Sequence, residues 1–375
     1  MEKENICGAQ ARVEEVGLFA AANGGRGFVS FYDKIFSDPK ILRRYLLMGG
    51  PGTGKSSFMR RVADTAQREG FEVRFYRCSS DHSSLDAIVI ENTVALLDAT
   101  APHTVEPELA GARDEIINLG QFWDSDMLLQ KRGQIEALGI KKRDEYAGAY
   151  RFLEGALALD LRAREISSGF VKFQKLDSAV ERAIGRIPRG DGYSCRVGIR
   201  RSIGIGGRAR LEYYERAAKK LYAIEDYMGS AHIFLEGLLK SAARNENAVT
   251  ISLDPLNCEC LDAILFEESG TAFVVLRANE TEKYSGKLEG TVNMKRFVKC
   301  SGLCESEKAQ KREYRGDVRI RDGLVDSACE CLQSAGRAHF LLEKLYGEAM
   351  DFDAESSFCQ SFSANLCQKL KKLIK

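Results

Sequence analysis

The segment MGGPGTGKSS, residues 48–57, constrains the fold of this chain more than any other stretch. It fits the pattern G-x4-G-K-[ST], in which glycine N–H groups turn inward around phosphates and a lysine reaches the β- and γ-phosphates. The apolar run YLLM (45–48) precedes it, and SSFMRRVADTAQREG (56–70) follows with apolar residues at helical spacing. A strand, a glycine-rich loop and a helix in this order predict an α/β fold with a phosphate site at a helix N-terminus.

The loop supplies most of the predicted site. The predicted nucleotide-binding residues are Gly49, Gly50, Pro51, Gly52, Thr53, Gly54, Lys55, Ser56 and Ser57. Lys55 is the predicted catalytic cation, and the Ser56 hydroxyl is a predicted Mg²⁺ ligand. The apolar run TVALLDAT (93–100) ends in Asp98, the predicted catalytic and Mg²⁺-binding carboxylate. Asp86 competes for that role, but it is more simply a residue that caps or closes a turn. The predicted cofactors are therefore ATP and Mg²⁺.

The catalytic base is less well defined by the pattern. Ala99 stands where many ATPases carry a glutamate after the metal-binding aspartate. The other candidates follow predicted strands, where ligands of parallel α/β folds bind: Asp81, His103, Asp114 and Glu115. Glu115 is the predicted catalytic residue among them, although a charge in the first turn of a helix explains Asp114 or Glu115 equally well.

The chain also repeats itself. Three pairs of segments are similar and occur in the same order in both halves: 24–34 with 206–216, 84–97 with 260–273, and 147–157 with 335–345. This predicts a duplicated domain, with a phosphate-binding domain over 1–190 and a second copy over 191–375. In that copy Ala231 replaces Lys55, and the run TAFVVLRA (271–278) has no carboxylate at its end. The second domain is predicted to be a degenerate repeat that has lost the phosphate-binding lysine.

These motifs resemble those of a bacterial family of tandem P-loop proteins, described mainly as ATPases or ATP-binding proteins. The resemblance rests on GGPGTGKSSFMRR, CSSDHSSLDAIVI, LLDATAPHTVEPELAGARDEIINLG and the C-terminal EAMDF. It covers most of the chain and implies ATP binding without a particular substrate. Members of that family usually carry a phosphate loop in the second half as well, and this sequence departs from the family there.

Between the motifs the pattern becomes helical from Asp114 to about Ile187, which predicts a helical hairpin packed against or beside the sheet. The predicted fold class is thus α/β, with duplicated P-loop NTPase-type domains of mostly parallel sheet flanked by helices, and helical hairpin additions. The segment 182–216 holds nine arginines and three acids. It is either an arginine surface for phosphates or a solvated linker.

The composition restricts both the expected cellular location of the protein and the expected state of its cysteines. The 375 residues carry a net charge of +1, no apolar run long enough to span a membrane and no N-terminal apolar signal core. We therefore expect a cytoplasmic protein with no membrane partner. The eleven cysteines are scattered, and the pairs 258/260, 300/304 and 329/331 lack the usual zinc spacing. Reduced thiols are the favoured interpretation, and a metal site at those pairs is the alternative.

The sequence favours an ATPase in which the first repeat hydrolyses ATP and the second is regulatory or structural. A small-molecule or nucleotide kinase and a nucleotide-gated scaffold without turnover are the alternatives, since this loop serves all three. The expected partners are ATP and an unidentified protein or small molecule. Nucleic acid is weakly supported, because few aromatic residues accompany the arginines.

Overall fold

The computed structural model describes residues 17–277 and 288–374. The first repeat consists of β1 (Gly17–Phe19), β2 (Ala21–Gly24), β3 (Gly27–Ser30), α1 (Tyr32–Phe36), β4 (Arg43–Met48), α2 (Lys55–Arg68), β5 (Val73–Arg77), β6 (Leu85–Ile90), β7 (Val94–Asp98), β8 (Asp114–Asn118), a 3-10 turn (Leu119–Phe122), α3 (Ser125–Gln130), α4 (Arg132–Ser168) and α5 (Phe173–Ile184). The second repeat consists of β9 (Ser194–Val197), β10 (Arg201–Gly204), β11 (Gly207–Arg210), α6 (Tyr213–Ala217), β12 (Lys220–Glu225), α7 (Ala231–Arg244), β13 (Ala248–Leu253), β14 (Leu261–Phe266), β15 (Thr271–Leu276), β16 (Gly290–Asn293), a 3-10 turn (Met294–Phe297), α8 (Glu305–Gly347) and α9 (Phe352–Leu373). None of the helices in these ranges is long and apolar enough to cross a membrane.

The two repeats have sheets of identical connectivity. The strand order is β1-β5-β6-β7-β4-β8 in the first and β9-β13-β14-β15-β12-β16 in the second. In each sheet three neighbouring pairs are parallel and two, around β6 or β14, are antiparallel. The chain is therefore α/β with mixed, mostly parallel sheets flanked by helices.

Burial explains why the predicted strand and helix around the glycine loop form as they do. Tyr45 and Leu47 of β4 are buried in one core with Phe58, Val62 and Ala66 of α2. These α2 residues recur every four positions, so that one face of the helix covers the sheet. The strand and the helix thereby hold the intervening loop between two rigid elements.

The repeats exchange their last helices. Leu366 and Leu370 of α9 pack in the core of the first repeat beside α2. Leu176 and Val180 of α5 pack in the core of the second repeat, where a Cβ on Gly237 of α7 would lie 2.8 Å from Val180. The predicted helical hairpin is not formed: α4 runs without a break over Arg132–Ser168 and packs along α8, while α5 covers the other repeat's sheet. The division near residue 190 stays a prediction, since the packed layers cross it in both directions.

The exchange is held by reciprocal backbone hydrogen bonds. Asp124 N donates to Ala349 O (2.7 Å) and Asp351 N donates to Phe122 O (2.8 Å). The matching bonds elsewhere are Lys172 N to Phe297 O (2.7 Å) and Lys299 N to Phe170 O (2.8 Å). Between these two junctions α4 and α8 pack along each other in antiparallel directions. The same contact is thus made twice, as duplication predicts.

Two of the three sequence matches are out of register with the structure. Gly27 and Gly207 occupy the same hairpin position, both with φ of 84°, two residues away from the sequence alignment. Phe170 and Ala349 accept equivalent hydrogen bonds at the ends of α4 and α8. Counted back from these two residues, the buried Leu153 of α4 is equivalent to the buried Leu332 of α8. The match of 147–157 with 335–345 is therefore wrong. Two long helices with a similar periodic pattern of residues can be aligned about equally well at several offsets. The match of 84–97 with 260–273 aligns β6 with β14 correctly.

The onset of the helical region was also predicted wrongly. Asp114–Asn118 is the edge strand β8, parallel to β4, and helix begins only at Ser125. The run DEIIN contains two isoleucines with high strand propensity, and the partner strand outweighs the charged residues that suggested a helix start.

Candidate nucleotide-binding site

The glycine loop lies at the edge of the first sheet where β4, β5, β7 and β8 end and β6 begins, which we call the loop edge. Gly49, Gly52 and Gly54 have φ of 149°, 74° and 80°, a region that L side chains rarely adopt. A Cβ on Gly49 would lie 2.7 Å from Thr53 Oγ1, which itself donates to Gly50 O at 2.9 Å. The loop is therefore a tight backbone cradle that needs glycine at its turns.

Lys55 and Asp98 meet inside this cradle. Lys55 is the first residue of α2, and its Nζ donates to Gly49 O (2.8 Å) and Gly50 O (3.0 Å). Asp98 ends β7 beside β4, and its Oδ2 lies 3.7 Å from Lys55 Nζ. Burial raises the pKa of Asp98, while Lys55 and two hydrogen bonds from Thr100 oppose that rise. The structure thus brings together the predicted lysine and the predicted metal-side carboxylate.

The two serines after the lysine differ in exposure. Ser56 Oγ lies at the loop edge and accepts a hydrogen bond from Leu85 N at 3.0 Å, which leaves the second lone pair of that oxygen available. Ser57 is exposed, and Pro51 is half-buried in the loop.

Glu115 is not brought to the loop. It is paired in register with Tyr45 in the middle of β4 and is exposed, whereas the β8 residue level with the loop is Asn118. Asp114 is buried, and Arg44 binds both of its oxygens at 2.6 and 3.0 Å. Burial opposes ionisation of Asp114, but Arg44 and Arg113 lower its pKa overall. Both residues therefore lie at the strand's start, away from Lys55.

The other predicted base candidates have structural partners. Asp81 closes a turn by accepting hydrogen bonds from Ser83 N (3.1 Å) and Ser84 Oγ (2.5 Å). Asp86 is not a cap: it is buried inside β6, and its Oδ2 lies 3.1 Å from Nε2 of the buried His103. Burial opposes protonation of His103, but the negative charge of Asp86 raises its pKa.

Helices of the second repeat cover the outer side of the loop. A Cβ on Gly52 would lie 2.3 Å from the backbone oxygen of Glu343 in α8, and one on Gly50 would lie 3.0 Å from the Tyr346 ring. Gly54 faces the ring of Phe352 at the start of α9. No sequence motif predicts this contact, because it depends on the exchange of helices.

One further cation near the loop was missed by the sequence reasoning. Lys142 of α4 lies 3.2 Å from His339 Nδ1 of α8, and burial lowers its pKa with a smaller contribution from the positive charge of Lys55. Lys142 belongs to a helix whose surface is rich in charged residues, so only the tertiary structure distinguishes it.

The loop edge of the second sheet has the same backbone with different chemistry. Ala231 is the first residue of α7, as Lys55 is of α2, and both helices have 14 residues. Val275 takes the register position of Asp98. Asp226 follows β12 directly and accepts hydrogen bonds from Gly229 N (3.1 Å) and Ala231 N (2.8 Å). The helix N-terminus that holds an anion in phosphate loops is thus occupied here by a carboxylate of the chain itself.

The arginine-rich segment serves the second repeat's own acids. Arg200 is fully buried and binds Asp262 at 2.6 Å and Glu215 at 3.0 Å. Arg201 also binds Asp262, at 2.9 Å. Most of the segment's other arginines likewise form ion pairs: Arg189, Arg196, Arg208, Arg210 and Arg216. These contacts favour a structural role for the segment over a phosphate-binding surface.

Comparisons with models of protein families, with curated proteins and with solved structures found no match to this chain. Function is therefore inferred from the geometry of the loop edge.

Proposed function

We propose that the first repeat binds ATP with Mg²⁺ at residues 49–57 and hydrolyses it slowly, and that the second repeat senses the bound state. The observation that carries the proposal is the placement of Lys55 Nζ, which lies against Gly49 O and Gly50 O and 3.7 Å from Asp98. A lysine held at the mouth of a glycine cradle, at a helix N-terminus, is the arrangement that binds polyphosphate.

The donor set fits Mg²⁺. Ser56 Oγ and an Asp98 carboxylate oxygen would hold the ion, since Mg²⁺ prefers oxygen ligands and is commonly bound through one or two of them plus phosphates. When bound, Mg²⁺ would neutralise part of the phosphate charge. The N–H groups of the loop and Lys55 would bind the phosphate oxygens, and Thr100, which donates to Asp98 at 2.9 and 2.5 Å, would fix that carboxylate.

The proposed turnover is slow because neither position 99 nor Glu115 places a catalytic carboxylate beside Asp98. Ala99 is buried where a catalytic glutamate would follow Asp98, and Glu115 lies near the start of β8, away from the loop. This observation favours a second candidate function, a nucleotide-gated scaffold that binds ATP without turnover.

The exchanged helices supply a route from the loop to the second repeat. Gly50 and Gly52 touch Tyr346 and Glu343 near the end of α8, so that a change of loop conformation must move that helix end or be resisted by it. Protein interiors are close-packed, and a displacement of one backbone against another is transmitted rather than absorbed. We propose that occupancy of the loop alters the α8–α9 junction.

The test is binding and turnover of Mg-ATP by the full chain and by Lys55→Ala. Charge-assisted hydrogen bonds contribute about 1.5–3 kcal/mol, so we expect this variant to bind ATP about 10- to 100-fold more weakly. Lys240→Ala, at an exposed position of α7, is the matched control and should bind as the unaltered chain does. Phosphate release and ADP formation are followed together without an acceptor.

Release of phosphate that depends on Lys55 supports the ATPase. Binding that depends on Lys55, with no phosphate release, rejects hydrolysis and supports the scaffold. Equal ATP affinity in Lys55→Ala and the unaltered chain, with both folded by circular dichroism, contradicts the proposal altogether.

A further inference from the structure

A second cluster of potential ligands lies at the loop edge of the first sheet, apart from the glycine loop. Cys78 directly follows β5, Asp86 lies near the start of β6, and His103 lies beyond the end of β7. Because β6 is antiparallel to both neighbours, these three positions fall at one edge. Their ligand atoms, one from each residue, all lie within 4.8 Å of one another.

Asp86 and His103 of this cluster are buried, Cys78 is half-buried, and two polar atoms of the buried pair lack hydrogen-bond partners. The side chains of Asp86 and His103 are 4% and 5% exposed. His103 Nε2 lies 3.1 Å from Asp86 Oδ2, which is within ion-pair distance. Neither Asp86 Oδ2 nor His103 Nδ1 has a hydrogen-bond partner among the residues that the structure describes. Buried polar atoms without partners are rare and call for a missing one.

Aromatic contacts fix the orientation of the imidazole. The His103 ring stacks on Tyr32, with centroids 4.7 Å apart and planes at 15°, and it meets the edge of Phe28 at 4.8 Å. The Tyr32 hydroxyl donates to the backbone oxygen of Asp86 at 3.3 Å. Rigid packing of this kind holds a ligand set in place before the ion arrives.

The second repeat shows what the same backbone positions require. Asp262 matches Asp86 in β14, and Asp254 matches Cys78, since both follow the same bulge in the strand before. Arg200 and Arg201 bind Asp262, and Arg277 binds Asp254. In the first repeat Ala20 and Ala21 stand in the positions of Arg200 and Arg201, and the described part of the chain gives Asp86 a histidine as its ion-pair partner. Among the described residues, no guanidinium takes the place at Asp86 that Arg200 and Arg201 take at Asp262.

We propose that Cys78, Asp86 and His103 bind a zinc ion, distinct from the proposed Mg²⁺ site and independent of ATP binding. Zinc accepts thiolate, imidazole and carboxylate ligands together, and ligands at 2.0–2.3 Å from a tetrahedral ion are about 3.3–3.8 Å apart. The His103–Asp86 spacing already approaches that value, and a shift of about 1 Å in the Cys78 side chain completes the set. Binding displaces the thiol proton to solvent. Three protein ligands leave the fourth position for water or a substrate atom.

The experiment uses the full chain, stripped with a chelator, dialysed against Zn²⁺ and desalted, with the retained metal measured by mass spectrometry. We expect one zinc per chain, and at least a tenfold lower retention in Cys78→Ser and in His103→Gln. Cys258→Ser is the matched control, since Cys258 is a half-buried thiol near the corresponding edge of the second repeat, and it should retain zinc. Lys55→Ala should also retain zinc, which separates this site from the nucleotide site.

A second measurement does not depend on the variants being folded. Co²⁺ added to the stripped, unaltered chain should give a thiolate-to-cobalt charge-transfer absorption, and the bound metal should protect Cys78 from alkylation as read by peptide mass spectrometry. Absence of retained zinc in the unaltered chain, or equal retention in Cys78→Ser, overturns the proposal. Protection of a different cysteine overturns it too, and the Asp86–His103 ion pair would then be the whole interaction.

Discussion

The loop edges of the two sheets share one backbone arrangement, but the charge at the helix N-terminus is compensated differently in each. In the first, a glycine loop precedes a helix N-terminus at Lys55, whose Nζ lies 3.7 Å from Asp98 Oδ2. In the second, the Asp226 carboxylate accepts hydrogen bonds at the N-terminus of α7. The second edge therefore supplies from its own side chains the charge that a bound phosphate supplies in phosphate loops.

The same contrast appears at the paired strands. Asp262 is bound by two guanidiniums, whereas Asp86, at the matching position, faces His103 and Cys78. A buried carboxylate costs free energy unless it is paired. The matching buried carboxylates are thus paired with arginines in the second repeat and with a histidine in the first. This difference teaches that two copies of one backbone can balance the same buried charge with different partners.

The largest expected effect comes from breaking the internal pairing of the second edge. Asp262→Asn removes a buried carboxylate that both Arg200 and Arg201 bind, and removing one partner of a buried ion pair costs about 3–5 kcal/mol. Asp86→Asn, measured with a chelator present, should cost less than about 2 kcal/mol, because the partner that it loses among the described residues is a histidine and not a guanidinium. The free energies of unfolding of both variants are measured in urea. Equal losses of stability would show that the two carboxylates are paired equally strongly.

A smaller effect is expected from a methyl group added at matching glycines of the two loops. Gly52→Ala combines a left-handed φ of 74° with a backbone oxygen 2.3 Å from the new Cβ, so we expect a loss of about 2–4 kcal/mol. Gly229→Ala has a φ of 66°, but its Cβ would meet only side-chain atoms at 3.9 Å or more, and about 1 kcal/mol is expected. The free energy of unfolding of each variant is measured in urea.

This pair of variants also checks the exchange of helices. If Gly52→Ala costs no more than Gly229→Ala, then α8 yields freely at Glu343 and the proposed route from the loop to the second repeat fails.

Local pattern predicted the parts of the fold that depend on neighbours in sequence. The strand–loop–helix unit at 45–70, the end of β7 at Asp98 and the match of β6 with β14 follow from periodicity and from glycine placement, and the structure confirms these elements. The run DEIIN was misread because an edge strand next to β4 has few distinguishing residues. Its misreading carried Glu115 into a catalytic role that its position in β8 does not support.

The remainder depends on contacts between residues far apart in the chain. The packing of α9 on α2, the approach of Glu343 to Gly52 and the cluster of Cys78 with His103 all require the strand order and the helix exchange. Each residue taken singly is ordinary in sequence: a cysteine after a strand, a histidine in a proline-containing loop, a glutamate in a long helix. The number of residues between metal ligands does not predict a metal site when each ligand lies in or after a different strand.

The smallest expected effect concerns His232, which stands second in α7 as Ser56 does in α2. Burial, together with the positive charge of Arg164, lowers its pKa to about 4, and its Nδ1 lies 2.9 Å from Arg164 Nη1. Because the folded pKa is below the unfolded value of about 6.5, the unfolded chain takes up the proton first. This residue's contribution to stability is therefore complete above about pH 6.5 and is lost as the pH falls toward 4, with a slope of at most about 1.4 kcal/mol per pH unit. His232→Gln should match the unaltered chain at pH 7.5 and lose stability less steeply between pH 6 and 4.5 in urea unfolding. If the substitution leaves the slope of stability against pH unchanged, the pKa of His232 is the same in the folded and the unfolded chain. The second loop edge would then not shield this imidazole from water.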